Sequence, residues 1–561
     1  MPDATFRLID DHYVGTNGIT HFYFRQTAND VDVQNADFNV NIGRDGNVFS
    51  FGHSFIKMNA TASILLRKRD TVDPVDALKT AVKALQLPIS ADKATAEEKG
   101  KRAFTMKQTT GTVSEPKAQL VYFRTSNDDL SLSWRIETHT QSKWLITYVD
   151  AQDGDKIHHV VNYAAAATYE VYPWNLENPT EGPREVVKDP WDTTASEFGW
   201  HSDGTTTYNT TRGNNAIAHS NWDGVESESD FINLPRPTSS SLAFEYPYDP
   251  NEEDWKSYIN ASITQAFYTA NKYHDVLYRL GFTEAAGNYQ LHNHGKGGKE
   301  GDWIYINAQD SRGSDNANFA SPPDGQPGVL TMYMYKLSPP PWRDPAFSAG
   351  LLLHELTHGL SKRLTGGPAN AECLDPWEPG AMGEGTSDFY AMAMALKKGD
   401  TRTKRYPISG WEQNELENGT RPWVLSTDMS VNPLVYEDAN TIPIGHHVGV
   451  VWTTMLWEVL WDLIDKYGKN DADVPEFDEK GVPTDGKFLT LQLVTDAMAM
   501  QPCNPSYVQA RDTVIDADQV RTGGENRCLI WRSFAKRGLG TGAVLYDWKN
   551  RTGSFEVPAN C

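Results

Sequence analysis

His354-Glu355-Leu356-Thr357-His358 sets two imidazoles four residues apart, with a carboxylate beside the first. On a helix, positions i and i+4 share a face, so both rings can converge on one Zn²⁺. Glu355 then lies beside the metal rather than on it, where it can take a proton from an attacking water. A third ligand has to come from elsewhere, and Glu384 in Gly383-Glu384-Gly385 is the candidate, a loop and a chain reversal beyond His358. Two histidines and one carboxylate leave a fourth position open for water, as a hydrolytic zinc requires. Asp388, at i+4 from Glu384, is placed to accept the free N–H of a ligand histidine and fix its tautomer.

The elements that must hold these groups are readable at coarse grain. Asp344 as N-cap, Pro345 at the first helical position and Leu351, Leu352, Leu353, Leu356 and Leu360 predict a helix over 345–364, stopped by Gly366-Gly367. Gly383 to Asp388 opens a second helix over 384–397. Helical spacing is also expected near Trp255–Leu280 and over 446–467, 489–500, 505–519 and 528–537. Upstream, residues 1 to 60 alternate apolar and polar around turns such as Arg44-Asp45-Gly46 and read as antiparallel strands. Val75 to Leu87 reads as a helix and 91–102 as a polar linker. Leu120–Arg124, Leu130–Glu137 and Trp144–Val149 read as strands. The small-residue junction from Tyr163 to Thr168 is read as a processing boundary, an ordinary interdomain linker being the alternative.

Longer stretches carry a resemblance. HELTHGLSKRLTGGPAN (354–370) with GAMGEGTSDFYAMA (380–393) is similar to the fungalysin family, secreted fungal metalloendopeptidases related to thermolysin. NANFASPPDGQPG (316–328), QPCNPSYVQARD (501–512) and ATYEVYPWNLENPTEG (167–182) resemble it too, and 15–55 is similar to the propeptide that fungalysins and thermolysins share. Two positions depart: Thr386 stands where many members carry Trp, and Leu356 where many carry Tyr; altered pocket packing is expected from both. The resemblance implies an α+β, thermolysin-like two-lobed zincin behind a β-rich propeptide. Residues 1–65 would be the shared propeptide, 66–166 a second propeptide region, 167–345 a β-rich lobe and 346–561 a helical lobe carrying the zinc. It implies a zymogen whose propeptide aids folding and blocks the cleft, acting on proteins and peptides as a monomer. It also implies that a histidine opening the helix at 446 hydrogen-bonds the oxyanion of the tetrahedral intermediate. His446 fits, with the adjacent His447 still open. Asn316 and Asn318 precede what reads as an edge strand, where they could clamp an added peptide strand or simply form a turn.

Composition narrows the class. The 561 residues carry a net charge of −23, which excludes the basic footprint that nucleic acid or an anionic membrane requires. No apolar run reaches the roughly 18–20 residues needed to span a bilayer. Met1-Pro2-Asp3 opens on polar sequence without a signal peptide. With the resemblance, that implies a secreted, extracellular precursor whose leader lies outside this sequence, a cytosolic enzyme with a native Met1 being the alternative. Four cysteines permit two bridges, and Cys503–Cys528 with Cys373–Cys561 is the expected pairing. Sequons at Asn59, Asn209, Asn260, Asn418 and Asn550 permit glycosylation. One zinc is expected. Calcium has only scattered surface carboxylates in its favour, with no D-x-D-x-D-G loop. An inactive secreted binding protein and a zinc exopeptidase are the competing readings.

Overall fold

The computed structural model describes residues 4–9, 13–14, 20–28, 30–42, 47–53, 71–100, 102–125, 130–140, 144–162, 167–337, 340–375, 377–443, 445–547 and 549–561. The expected turn at Arg44, the sequon at Asn59 and the junction at 163–166 fall outside them. The chain packs as two units: Met1–Ala166 with Gly204–Thr207 and His294–Lys296, and the remainder of Ala167–Cys561.

In the first unit β1 (Ala4–Leu8), β2 (Tyr13–Val14), β3 (Thr20–Ala28), β4 (Val31–Ile42) and β5 (Val48–His53) pair antiparallel. Helix α1 (Pro74–Ala84) follows, then β6 (Thr95–Gly100), β7 (Ala103–Lys107), β8 (Ser114–Arg124), β9 (Leu130–His139), β10 (Trp144–Asp150) and β11 (Ile157–Asn162). A parallel pairing of Val33 on β4 with Tyr122 on β8 joins both sets in one sheet, which therefore runs through 1–65 and 66–166 alike. Asp73 caps α1 by accepting from Val75 N, and Ala77, Leu78 and Ala81 share a buried cluster with Trp134, Ile136 and Val149. The expected linker at 91–102 instead contains β6. All six of its side chains are exposed, so no burial pattern betrays it; backbone pairing with β7 holds it.

The second unit begins with β12 (Thr168–Val171), which lies between β13 (Glu185–Lys188) and a later strand. Then come β14 (Ala216–Ser220), α2 (Glu228–Phe231), β15 (Ala243–Phe244), α3 (Ile259–Arg279), β16 (Ile304–Ala308), β17 (Ala317–Ala320) and β18 (Gly328–Met332). β14, β16 and β18 run parallel, and β17 returns antiparallel at the edge; β15 completes the sheet around β12. α3 is buried on nearly every side, as a helix enclosed by other elements must be, and packs on β12, β14, β16 and the helix that follows.

That helix, α4 (Ala349–Leu364), starts later than expected. Asp344 caps only a short 3₁₀ turn, Pro345–Phe347, and Ser348 caps α4 itself by accepting from Leu351 N at 3.3 Å. α5 (Trp377–Met394) starts earlier than expected, so Glu384 lies well inside it rather than at its mouth. Pro379 is tolerated in its first turn, and burial of almost the whole helix outweighs the glycines. α6 (His446–Tyr467), α7 (Gly486–Met500), α8 (Tyr507–Thr522) and α9 (Arg527–Lys536) complete the helical half, followed by the hairpin β19 (Val544–Asp547) and β20 (Asn550–Thr552). Among the described residues no helix is long and apolar enough to cross a membrane. Asn209, Asn260, Asn418 and Asn550 are exposed.

The cysteines pair otherwise than expected. Cys373 bonds Cys503, and Cys528 bonds Cys561. Cys503 precedes α8 and Cys528 follows it. A 16-residue helix spans about 24 Å, whereas bridged Cα atoms lie within about 7 Å, so α8 holds that pair apart. The left-handed Gly366 after α4 admits the Cys373 sulfur: a Cβ there would sit 2.3 Å from it.

Candidate metal centre

α4 presents His354 and His358 on one face, their rings 5.0 Å apart and nearly perpendicular. α5 presents Glu384 to both: Oε2 lies 3.3 Å from His354 Nε2, and Oε1 3.7 Å from His358 Nε2. Ligand atoms of all three lie within 4.8 Å of one another, and among the described residues no other trio of His, Cys, Asp or Glu does so. His446, the first residue of α6, brings Nε2 to 2.9 Å from Glu384 Oε2 and stacks 6.1 Å from the His354 ring. His447, beside it, is exposed.

Three contacts fix this arrangement. His354 Nδ1 donates to Asp388 Oδ1 at 2.8 Å, which leaves Nε2 turned toward Glu384. Thr357 Oγ1 donates to Leu353 O at 2.6 Å and receives the Tyr273 hydroxyl of α3 at 2.7 Å, locking the helix from behind. α5 and α6 cross in backbone contact at Gly385 and Gly449. A Cβ on Gly385 would stand 2.3 Å from Gly449 O, and one on Gly449 3.0 Å from Glu384 Cβ. Those glycines set the separation between Glu384 and His446.

The electrostatics are those of a cation site. Burial opposes ionisation of Glu384, yet His354 and His446 hold it well below the usual carboxylate range. Its Oε2 is nevertheless buried without an aligned hydrogen bond, although two ring nitrogens crowd it. Burial alone would lower His354, but bonding to Asp388 and Glu384 pushes it up to about 10, while burial takes His358 down to about 4. Glu355 is 6% exposed; burial pushes it up to about 7 against the pull of His354. Two ring nitrogens beside a carboxylate whose own Oε2 lacks an aligned partner fit a divalent cation.

The sequence matches the family described as Fungalysin metallopeptidase (M36) over residues 168–543. The chain belongs to that family. A Fungalysin/Thermolysin Propeptide Motif matches residues 4–55. The Extracellular metalloproteinase MEP of Leptosphaeria maculans is 57% identical over 559 residues, which is 100% of this chain and 87% of that protein. Extracellular metalloproteinases of Pyrenophora tritici-repentis and Aspergillus fumigatus are each 56% identical over 100% of this chain and 85% and 87% of their own. This fungalysin is accordingly a metalloendopeptidase with a propeptide motif ahead of its catalytic region.

The remaining sequence candidates sit at varying distance from this centre. Asn318 lies within edge strand β17 rather than before it; its side chain is exposed and donates to the Tyr333 hydroxyl at 3.1 Å. Asn316 precedes the strand and accepts from Tyr333 N through its backbone. Thr386 is buried and accepts from the Trp452 indole at 3.2 Å, and Leu356 is buried in α4. Arg421 is a partner of Asp388 that the sequence reading did not find. It forks onto Asp388, with Nε to Oδ2 at 2.8 Å and Nη2 to Oδ1 at 2.9 Å.

Proposed function

We propose that this fungalysin is the zymogen of a secreted, monomeric zinc endopeptidase that cuts internal bonds of proteins and peptides. The observation that carries the reading is the convergence of His354, His358 and Glu384 with buried Glu355 next to them. Zinc held by those three residues would polarise the scissile carbonyl and acidify the attacking water. Glu355 takes the water proton on its carboxylate and passes it to the leaving amine. His446 donates from Nε2 to the oxyanion; its approach to Glu384 supports it over His447 for that role. Asp388, kept charged by Arg421, holds His354 in the tautomer that frees Nε2. Asn316 just before edge strand β17 and Asn318 within it clamp an extended peptide that adds as a further strand.

In this reading 167–345 and 346–561 form a β-rich and a helical lobe with the substrate cleft between them, as in thermolysin. Residues 1–65 and 66–166 serve as the propeptide, which assists folding and inhibits until it is cut. The test is a peptide blocked at both ends. Cleavage at an internal bond, abolished by a chelator and restored by zinc, is expected; cleavage that needs a free terminus, or that survives chelation, would overturn the reading.

A further inference from the structure

Ala167 opens the second unit and is fully buried, although it stands at the boundary where the processing reading puts the cut. Its backbone N–H donates to the Asp189 carboxylate, N to Oδ1 at 2.8 Å, and Asp189 N donates back to Ala167 O at 3.0 Å. Thr168 N donates to Leu242 O at 3.0 Å, so the chain is fixed from its first residue on both sides. Asp189 reaches this position through a left-handed backbone, φ 46°, just after β13. Among the described residues no cation pairs with it. Lys272 on α3 donates to Pro190 O and pairs with Asp473, while Lys188 on β13 is exposed. A half-buried carboxylate that meets only a neutral amide is an uncompensated charge.

We propose that Asp189 is the counter-ion of the N-terminus that processing creates, so that cutting the bond before Ala167 turns a neutral hydrogen bond into an ion pair. Hydrolysis breaks the C–N bond; the water oxygen joins the carbonyl carbon, which departs as a carboxylate, and both water protons end on the Ala167 nitrogen. The resulting α-ammonium lies beside Asp189 Oδ1 without any movement of β12. The charge is absent before the cut and present after it. Asp189 thereby favours the processed over the unprocessed state, and shields the new terminus from amine chemistry and aminopeptidase trimming. This rests on the processing reading above.

Asp189→Asn keeps the acceptor and suits the left-handed backbone, which asparagine adopts readily, but removes the charge. The variant and wild type are compared as precursors, both carrying Glu355→Gln to stop self-cleavage, and as processed enzymes whose first residue is read by intact mass. The α-amine of each processed form is labelled at pH 8 with an amine-reactive reagent and quantified by peptide mapping. The expected result is a first residue at Ala167, an Asp189→Asn precursor whose Tm is no lower than that of wild type, and labelling of the wild type roughly 3- to 10-fold slower than of Asp189→Asn. In wild type alone, half-maximal labelling should fall above the ordinary α-amino range of about 8, a readout that needs no variant. A first residue elsewhere within 163–168 would remove the ion pair and leave the processing reading standing; one outside that stretch would sink both. Ala167 as first residue with equal labelling rates would leave processing standing and remove the ion pair.

Discussion

Arg421 holds Asp388 through two hydrogen bonds, and the same Asp388 oxygen that takes Arg421 Nη2 also takes His354 Nδ1 at 2.8 Å. Burial would neutralise this carboxyl, but Arg421 and His354 keep it down at about 2. The chain Arg421–Asp388–His354 therefore carries a fixed negative charge to the back of the His354 ring. Asp388→Asn removes that charge and is expected to weaken zinc affinity by about 10- to 100-fold, read by competition with a chromogenic chelator. Unchanged affinity would mean that the ring is held by packing alone.

Gly449→Ala tests the crossing that sets Glu384 against His446. Its Cβ would stand 2.8 Å from Ala381 O and 2.9 Å from Gly385 N, both backbone atoms that cannot swing aside. The cost is expected at about 1–3 kcal/mol in urea unfolding, with a loss of activity in the fraction that remains folded. Alanine at an ordinary buried helical position would stabilise instead.

The proposed oxyanion role of His446 can be tested apart from metal binding. Its side chain is 55% exposed, so replacing it should cost little stability. His446→Phe is expected to lower kcat by about 10²–10³-fold with KM and zinc content nearly unchanged. A rise in KM alone would assign it to ground-state binding.

The Glu177 carboxyl is lodged against the first turn of α4, Oε1 2.9 Å from where a Cβ on Gly350 would stand. Burial first, then Glu412 and Glu181, push it up to about 8 from 4.5. With the folded value above the unfolded one, its contribution to stability is complete below pH 4.5 and is lost as pH rises through about 8. Glu177→Gln, made in the Glu355→Gln background to prevent self-digestion, should match its parent near pH 4.5. Above pH 8 it should be the more stable by on the order of a few kcal/mol. Parallel stability–pH curves would show that the carboxyl ionises freely.

What the sequence made legible follows from how local each signal is. His354 and His358 share a turn of helix, so their convergence needs only helical spacing. Glu384 needs one reversal, and Gly383-Glu384-Gly385 marks the crossing with α6 even though the helix start was misplaced. Arg421 comes from a loop with no periodic pattern, and nothing local ties it to Asp388. β6 was hidden because an exposed strand held by backbone bonds shows no alternation. The disulfides failed for the converse reason: closeness in sequence favoured Cys503 with Cys528, but the rigid length of α8 between them decides the matter.

The most direct test of the metal centre combines zinc content with activity in wild type, Glu355→Gln and His358→Ala. About one zinc per chain is expected in the first two, with peptidase activity in wild type alone and a fall of roughly 10²–10⁴-fold in Glu355→Gln. His358→Ala should lose both zinc and activity. Full activity in Glu355→Gln, or zinc retained by His358→Ala, would contradict the assignment of base and ligands.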